Sequence, residues 1–332
     1  MHGHVAVVGA GAWGSALSLA LAERGPVRLF TWDREHAREL AEARENRAFL
    51  PGFALPPGVE PTADLAHALG GAELVVVALP SQAVRDVLAR ARDALPDVPL
   101  VLASKGIESG SFMLLTEVVA DVLGPEVARR ALVLSGPSFA LEVARRLPTN
   151  LVVAAQSHEL SVTVQNRMAT ERLRIYSSDD PIGVEVGGAL KNVIAIAAGA
   201  CDGLGFGYNT RAALITRGLA EMARLAAAKG GNVRTLAGLA GLGDLVLTCT
   251  GELSRNRTVG VELGRGARLE DVLSGLGHVA EGVPTAEAAH RLAERFGVEL
   301  PISSEVYRVL YEGKPVLDAV HDVLHRPLKP EW

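Results

Sequence analysis

Residues whose types and spacing can do chemistry gather in three places along the chain. The first is Gly9-Ala10-Gly11-Ala12-Trp13-Gly14, directly after an apolar run and directly before a helical pattern. A G-x-G-x-x-G loop in that context binds the pyrophosphate of a dinucleotide. Gly9 permits the tight turn, Gly11 lets the backbone approach the phosphates, and Gly14 lets the helix pack close to the strand. The helix N-terminus, at Ala12 and Trp13, then offers free N–H groups and partial positive charge to the phosphates. Asp33 stands about 20 positions on, where an acidic residue grips the adenosine ribose of NAD. Arg34 beside it can pair with the extra phosphate of NADP, and Trp32 can cover the adenine. The residues leave NAD or NADP open.

The second place is a pair of lysines. Of 33 basic residues only five are lysine, namely Lys105, Lys191, Lys229, Lys314 and Lys329, so a lysine among small or apolar residues stands out. Lys105-Gly106 closes the apolar run 100–104, and Gly136-Pro137-Ser138 closes the run 132–135. In an open α/β sheet ligands bind beyond such strand ends. Ser138 is also placed to cap the helix that follows. Around Lys191, helical spacing puts Gly187, Gly188, Ala195 and Ala198 on its own face, with Ile194 the one bulky neighbour. That bare face is expected to leave room for a ligand beside the ammonium, because close helix packing there would bury a charge without a partner.

The third place runs from Gly238 through Asp244 and Thr248 to Ser254-Arg255-Asn256-Arg257. Asp244 and Thr248, four apart, can share a helical face. Ser254 can cap a new helix and set Arg255 and Asn256 in its first turn, and an arginine fork at a helix N-terminus suits a phosphate. His321 and His325 have i, i+4 spacing but no third ligand nearby, so no metal is expected. Cys201 and Cys249 make neither a disulfide framework nor a metal-ligand pattern and read as buried thiols.

Elements that position these residues can be read from hydrophobic patterning. Runs at 4–9, 27–31, 74–79, 100–104, 132–135 and 150–154 are continuous rather than alternating, with a helix over 12–24 and further helical patterns between several of them. Continuous runs mark strands covered on both faces, hence a parallel sheet. Right-handed crossovers make it a doubly wound, Rossmann-like α/β domain. From about Asp179 strand-like runs give way to helical patterns, and Asp179-Asp180-Pro181 is a helix start. The expected organisation is a dinucleotide-binding domain over 1–178 and an all-α substrate-binding and catalytic domain over 179–332. A chain of 332 residues with 48% hydrophobic and 21% charged residues supports two cores. The net charge of −5 gives no reason to expect nucleic acid or an anionic membrane as partner. With no signal peptide and no unbroken apolar stretch of ~18 residues, the cytoplasm is expected.

Taken together, GAGAWG, ASKG around Lys105, SGPSFA from Ser135, GALKN around Lys191, GLAGLGDLVLTCT from Gly238, SRNR from Ser254 and AEGVPTA from Ala280 resemble the NAD(P)-dependent glycerol-3-phosphate dehydrogenases of bacterial type. The pieces fall in that family's order over nearly the whole chain. The resemblance implies that Lys191 is the general acid/base for interconverting dihydroxyacetone phosphate and sn-glycerol 3-phosphate, a step in phospholipid precursor synthesis. It implies that Lys105, Gly136, Ser138, Asp244, Ser254, Arg255 and Asn256 line the substrate site, with Asn192 and Thr248 helping to hold the substrate. Trp13, Arg34, Phe49, Lys105, Ala140, Arg255, Val279 and Glu281 would lie along the cofactor. Family members often carry Tyr or Phe where this chain has Trp13, and the stretch around Trp32 and Arg34 varies among them. Oligomeric state is not written in the residues; a homodimer is common in such enzymes. Two rival readings are another two-domain hydroxyacid or sugar-acid dehydrogenase, lacking the Asp244–Asn256 constellation, and a dinucleotide sensor without turnover, which leaves Lys191 unexplained.

Overall fold

The strand that precedes the glycine loop, β1 (His4–Val8), is buried at all of its positions. Its side chains alternate between two cores: Val5 and Val7 pack with Leu17, Leu29 and Leu132, while Ala6 and Val8 pack with Phe30, Val75 and Leu102. That two-sided burial is why the run reads as continuously apolar. The computed structural model describes residues 3–277, 279–327 and 330; Lys329 lies outside the described residues.

After β1 come α1 (Ala12–Leu21), β2 (Val27–Phe30), α2 (Arg34–Ala43), β3 (Glu45–Asn46), β4 (Leu50–Ala54), β5 (Val59–Thr62) and α3 (Leu65–Leu69). Next are β6 (Ala72–Val77), α4 (Val84–Ala91), β7 (Leu100–Leu102), α5 (Leu115–Leu123), α6 (Pro125–Arg129) and β8 (Ala131–Ser135). Then follow α7 (Ala140–Ala144), β9 (Thr149–Ala154), α8 (His158–Met168) and β10 (Leu173–Ser178). Eight strands form one sheet in the order β10-β9-β8-β7-β6-β1-β2-β5, and β3 and β4 make a small antiparallel pair. The chain grows from β1 toward β5 and then returns to β6 on the other side, so the end of β1 is the switch point of the sheet, the position at which open α/β sheets bind ligands.

The expected parallel sheet needs one correction, because β8 and β9 pair antiparallel. Two edge strands also escape a search for continuous apolar runs. In β5, Pro61 removes a ladder donor, which an edge strand tolerates. In β10 the order Leu173-Arg174-Ile175-Tyr176 alternates buried and exposed, the period of a half-covered strand.

Helices alone follow among the described residues: α9 (Pro181–Gly203), α10 (Tyr208–Ala228), α11 (Asp244–Thr250), α12 (Arg255–Gly264), α13 (Leu269–Leu276), α14 (Gly282–Phe296), α15 (Pro301–Tyr311) and α16 (Val316–Leu324). Helix α9 starts at the expected proline, with Asp180 Oδ1 accepting from Gly183 N–H at 2.9 Å. By length and apolarity it could cross a membrane, but 89% of its apolar window is buried inside the protein, as in a core helix. The chain divides into two compact units, one reaching Lys105 and including Met113–Glu185, the other comprising Gly106–Phe112 and the chain from Val186 on.

In the second unit, α9 and α12 cross through paired glycines. A Cβ on Gly199 would sit 2.0 Å from Arg257 O, on Gly203 2.3 Å from Val261 O, on Gly260 2.0 Å from Ile196 O, and on Gly264 2.3 Å from Ala200 O. Backbone thus packs on backbone, and the crossing fixes the start of α12 beside the middle of α9. The start of α14 is seated the same way, since a Cβ on Gly282 would meet Asn192 O at 2.6 Å.

Candidate active site

In the first unit the loop Gly9–Gly14 joins β1 to α1. Gly9 has φ +118° and no room for a Cβ, which would lie 2.5 Å from Ala78 O just beyond β6. A Cβ on Gly14 would strike Gly9 O at 1.8 Å. Gly11 differs: it is the N-cap of α1, offers no side-chain acceptor to the helix, and a Cβ there would meet nothing within 4 Å. The first-turn N–H groups lack intrahelical partners by geometry. The loop therefore presents an uncapped helix N-terminus with clear space over Gly11, which suits a pyrophosphate.

Of the residues expected toward the adenosine, Trp32 is 74% exposed and Arg34 is exposed as well. Asp33 caps α2, its Oδ1 accepting from Glu35 N–H at 2.9 Å and His36 N–H at 3.3 Å. Phe49 lies edge-on to His36, with ring centroids 5.4 Å apart. Trp13 packs against the cluster of Ala16, Leu50, Val143 and Ala144, and its buried Nε1 has no hydrogen-bond partner among the described residues. Asn46, which sequence reasoning missed, is buried and donates to Ala10 O and Ser15 Oγ; no periodicity or motif points to it.

Lys105, Gly136 and Ser138 meet at the ends of β7 and β8. Lys105 Nζ donates to Gly136 O at 2.8 Å and to Ser138 Oγ at 3.3 Å, and Ser138 Oγ donates to Gly136 O at 2.9 Å. Ser138 does not cap the next helix: the N-cap of α7 is Phe139, without a side-chain bond, because the Ser138 hydroxyl is turned back to the strand end. Ala140 opens that helix.

In the second unit Lys191, Asp244 and Thr248 come together. Lys191 Nζ donates to Asp244 Oδ1 at 2.7 Å and to Thr248 Oγ1 at 3.0 Å, and Thr248 Oγ1 donates to Asp244 O at 2.6 Å. Lys191 is 6% exposed and Asp244 1%. Of the small residues beside Lys191, Gly187 is packed against the protein itself: a Cβ there would stand 2.6 Å from Ala240 O, in the segment leading to α11. Gly187 is there for close packing, and that packing brings the segment carrying Asp244 to the buried charge. A buried ion pair is tolerable only when paired and hydrogen-bonded, as here.

At the next residue of α9, Asn192 Oδ1 accepts from Asn256 Nδ2 at 2.9 Å, and Gly282 N–H donates to Asn256 Oδ1 at 2.8 Å. Ser254 caps α12 as expected, its Oγ accepting from Arg257 N–H at 3.2 Å. The two arginines of the motif diverge. Arg257 is committed to Asp202, which Arg211 also holds. Arg255 is exposed and has no hydrogen bond or ion pair among the described residues; surrounding protein lowers its pKa, with Glu281 opposing. Glu281 is the N-cap of α14, and Val279 is 47% exposed just before it. Burial raises the Cys249 thiol to about 12 and the Cys201 thiol to about 11, so neither is a nucleophilic thiolate at neutral pH.

The arrangement offers an uncapped helix start for an anionic cofactor, a buried ammonium held by a carboxylate and a hydroxyl, and an uncommitted arginine at a capped helix start. Family models described as NAD-dependent glycerol-3-phosphate dehydrogenase N-terminus and C-terminus match residues 4–161 and 180–321. A protein of Geobacter sulfurreducens named glycerol-3-phosphate dehydrogenase (NAD(P)+) is 52% identical over 100% of this chain and 99% of its own length. One of Myxococcus xanthus with the same name is 51% identical over 98% of each chain. The crystal structure of glycerol-3-phosphate dehydrogenase from Coxiella burnetii superposes with TM-score 0.92 at 40% identity, covering 98% of this chain and 99% of that one. D-mandelate dehydrogenase shares the fold at 14% identity and TM-score 0.62, over 93% of this chain and 98% of its own. The chain therefore belongs to the NAD-dependent glycerol-3-phosphate dehydrogenase family.

Proposed function

We propose that this chain interconverts dihydroxyacetone phosphate and sn-glycerol 3-phosphate with NAD(H) or NADP(H), and that Lys191 is its general acid/base. The observation that carries the role of Lys191 is its buried ammonium, fixed by Asp244 and Thr248. Residues 1–178 serve as the dinucleotide-binding domain and 179–332 as the substrate-binding and catalytic domain. The dinucleotide is held by the Gly9–Gly14 loop, with Trp32, Arg34 and Phe49 on its adenosine side and Lys105, Ala140, Arg255, Val279 and Glu281 along the remainder.

The reduced nicotinamide supplies the hydride. As negative charge grows on the ketone oxygen, the Lys191 ammonium stabilises it and transfers a proton to it; the resulting amine regains a proton from solvent. In the opposite direction the amine takes the hydroxyl proton. Asp244 and Thr248 hold Nζ in place, so orientation is not lost at each turnover. Arg255 and the start of α12 anchor the substrate phosphate, and that remote binding energy positions the reacting carbon. Lys105 with Ser138 and Gly136, and Asn192 with Asn256, complete the polar lining. The product feeds glycerophospholipid synthesis in the cytoplasm, and the enzyme acts as a homodimer.

Steady-state oxidation of NADH and of NADPH, with dihydroxyacetone phosphate and with unphosphorylated dihydroxyacetone, tests the reading and ranks the cofactors. Turnover that requires the phosphate is expected. Turnover with 2-oxoacids instead would favour a hydroxyacid dehydrogenase, and dinucleotide binding without turnover a sensor.

A further inference from the structure

Asn46 sits in β3, 1% exposed, with all four hydrogen-bonding positions of its amide used. Its Nδ2 donates to Ala10 O at 2.8 Å and to Ser15 Oγ at 2.7 Å. Its Oδ1 accepts from Phe49 N–H at 3.2 Å and from His36 Nε2 at 3.2 Å. The orientation of the amide is dictated: a carbonyl oxygen can only accept and a backbone N–H can only donate. It follows that His36 carries a proton on Nε2, and its Nδ1 is hydrogen-bonded with Thr31 Oγ1 at 3.3 Å. One buried side chain thus ties the glycine loop and the first turn of α1 to Thr31, His36 and Phe49.

Ala10 lies between Gly9 and Gly11, and its carbonyl is the one Asn46 holds. A trans peptide is planar, with C=O and N–H pointing opposite ways. No peptide bond in the described chain is cis, so fixing Ala10 O toward Asn46 turns the Gly11 N–H away from it. Gly11, without a Cβ, makes a flip of that peptide cheap. A flipped peptide would show a carbonyl oxygen where the loop otherwise shows an N–H, and would repel a phosphate.

We propose that Asn46 is a positioning residue for the dinucleotide: it locks the Ala10–Gly11 peptide with its N–H directed to the pyrophosphate and couples that lock to the adenosine side. The inference rests on the reading of the Gly9–Gly14 loop as the dinucleotide site. Asn46 touches no reacting atom and acts through the backbone. Aspartate in its place loses both Nδ2 donors and sets a carboxylate against Ala10 O. Once protonated, it regains one O–H donor.

The test is equilibrium titration of the purified protein with NADH and NADPH, followed by quenching of tryptophan fluorescence, at pH 8 and pH 5.5, beside the melting temperature of each unliganded variant. Asn46→Ala and Asn46→Asp are expected to raise the dinucleotide Kd about 10-fold or more at pH 8. The Asp variant alone should recover much of its affinity at pH 5.5, a response that a mere packing defect does not give. Both variants binding within twofold of wild type, or the Ala and Asp deficits staying equal at both pH values, would overturn the role. If both variants fail to fold, Ser15→Ala, which removes one partner of Nδ2, carries the test: a Kd raised about 3-fold supports the lock and an unchanged Kd rejects it. Wild-type protein that binds neither dinucleotide would instead remove the cofactor reading itself.

Discussion

Gly11 and Gly187 each stand beside a candidate site, and a Cβ added to them would meet different things. At Gly11 it meets nothing within 4 Å; at Gly187 it meets Ala240 O at 2.6 Å. The first glycine borders open space, and the second lets one segment of the protein approach another. The electrostatics differ in the same sense. Around the first loop the polar groups are backbone N–H and the neutral amide of Asn46, and the N-terminus of α1 has no side-chain cap. Around Lys191 the groups are a buried ammonium and carboxylate. Dipoles suffice to hold a cofactor that keeps its charge, whereas a carbonyl oxygen gaining charge needs a proton donor.

The sharpest way to break this division of labour is Lys191→Ala. Turnover should fall about 100-fold or more, while dinucleotide Kd changes little. The substitution leaves Asp244 buried without its ammonium, which costs roughly 3–5 kcal/mol, so turnover must be scaled to folded protein. Near-wild-type turnover removes the general-acid role. Arg255→Ala should come next. Losing a charged phosphate contact should raise the Michaelis constant for dihydroxyacetone phosphate about 10- to 100-fold, with a smaller change in kcat. An unchanged Michaelis constant would assign the anchor elsewhere.

How far the sequence disclosed these sites follows the same contrast. Gly9 and Gly14 were legible because their spacing between a strand and a helix has one steric meaning. Ser254 was legible as a cap, and Asp244 with Thr248 as one helical face, because both depend on local geometry. The role of Gly187 beside Lys191 was not legible, since a one-dimensional pattern cannot tell whether a small residue faces a ligand or the segment 239–243. Asn46 and the Arg257–Asp202 pair were not legible at all, because each is defined by partners distant in the chain. The same holds for the sheet: buried central strands announce themselves, but β5 and β10 at its edges and the reversed β8–β9 pair depend on neighbours.

Gly187→Ala and Gly11→Ala test the comparison directly, because their effects should cross. Gly187→Ala forces the turn carrying Ala240 to move, costing about 1–3 kcal/mol, and drags Asp244 from Lys191. Thermal stability and kcat should both fall, with dinucleotide Kd unchanged. Gly11→Ala places a methyl in open space at φ −74°, a conformation alanine adopts freely, so the unliganded protein should be as stable as wild type or slightly more so. Its dinucleotide Kd should rise about 10-fold as the methyl keeps the phosphates away. Calorimetry and titration on both variants decide it; if both lose stability, or both lose affinity, the two glycines do the same job.

The smallest effect on activity concerns helix starts that the protein fills itself. Glu221 of α10 accepts from Ile302 N–H and Ser303 N–H at the start of α15, and Glu185 of α9 accepts from Thr116 N–H at 3.0 Å at the start of α5. These helix starts are filled by side-chain carboxyl groups, whereas α1 has no side-chain cap. Burial, only partly offset by the Thr116 bonds and reinforced by Glu117, raises Glu185 to about 7 from 4.5. A carboxyl whose folded-state pKa is raised binds its proton more tightly when folded, so its contribution is full below pH 4.5 and disappears as pH rises through about 7. Glu185→Gln keeps an acceptor for Thr116 N–H and cannot ionise. The stability of wild type relative to this variant should therefore decline by about 2 kcal/mol between pH 5 and pH 8. Denaturant titrations of both proteins across that range read the difference directly, and parallel pH profiles would mean that Glu185 stays ionised in its buried place.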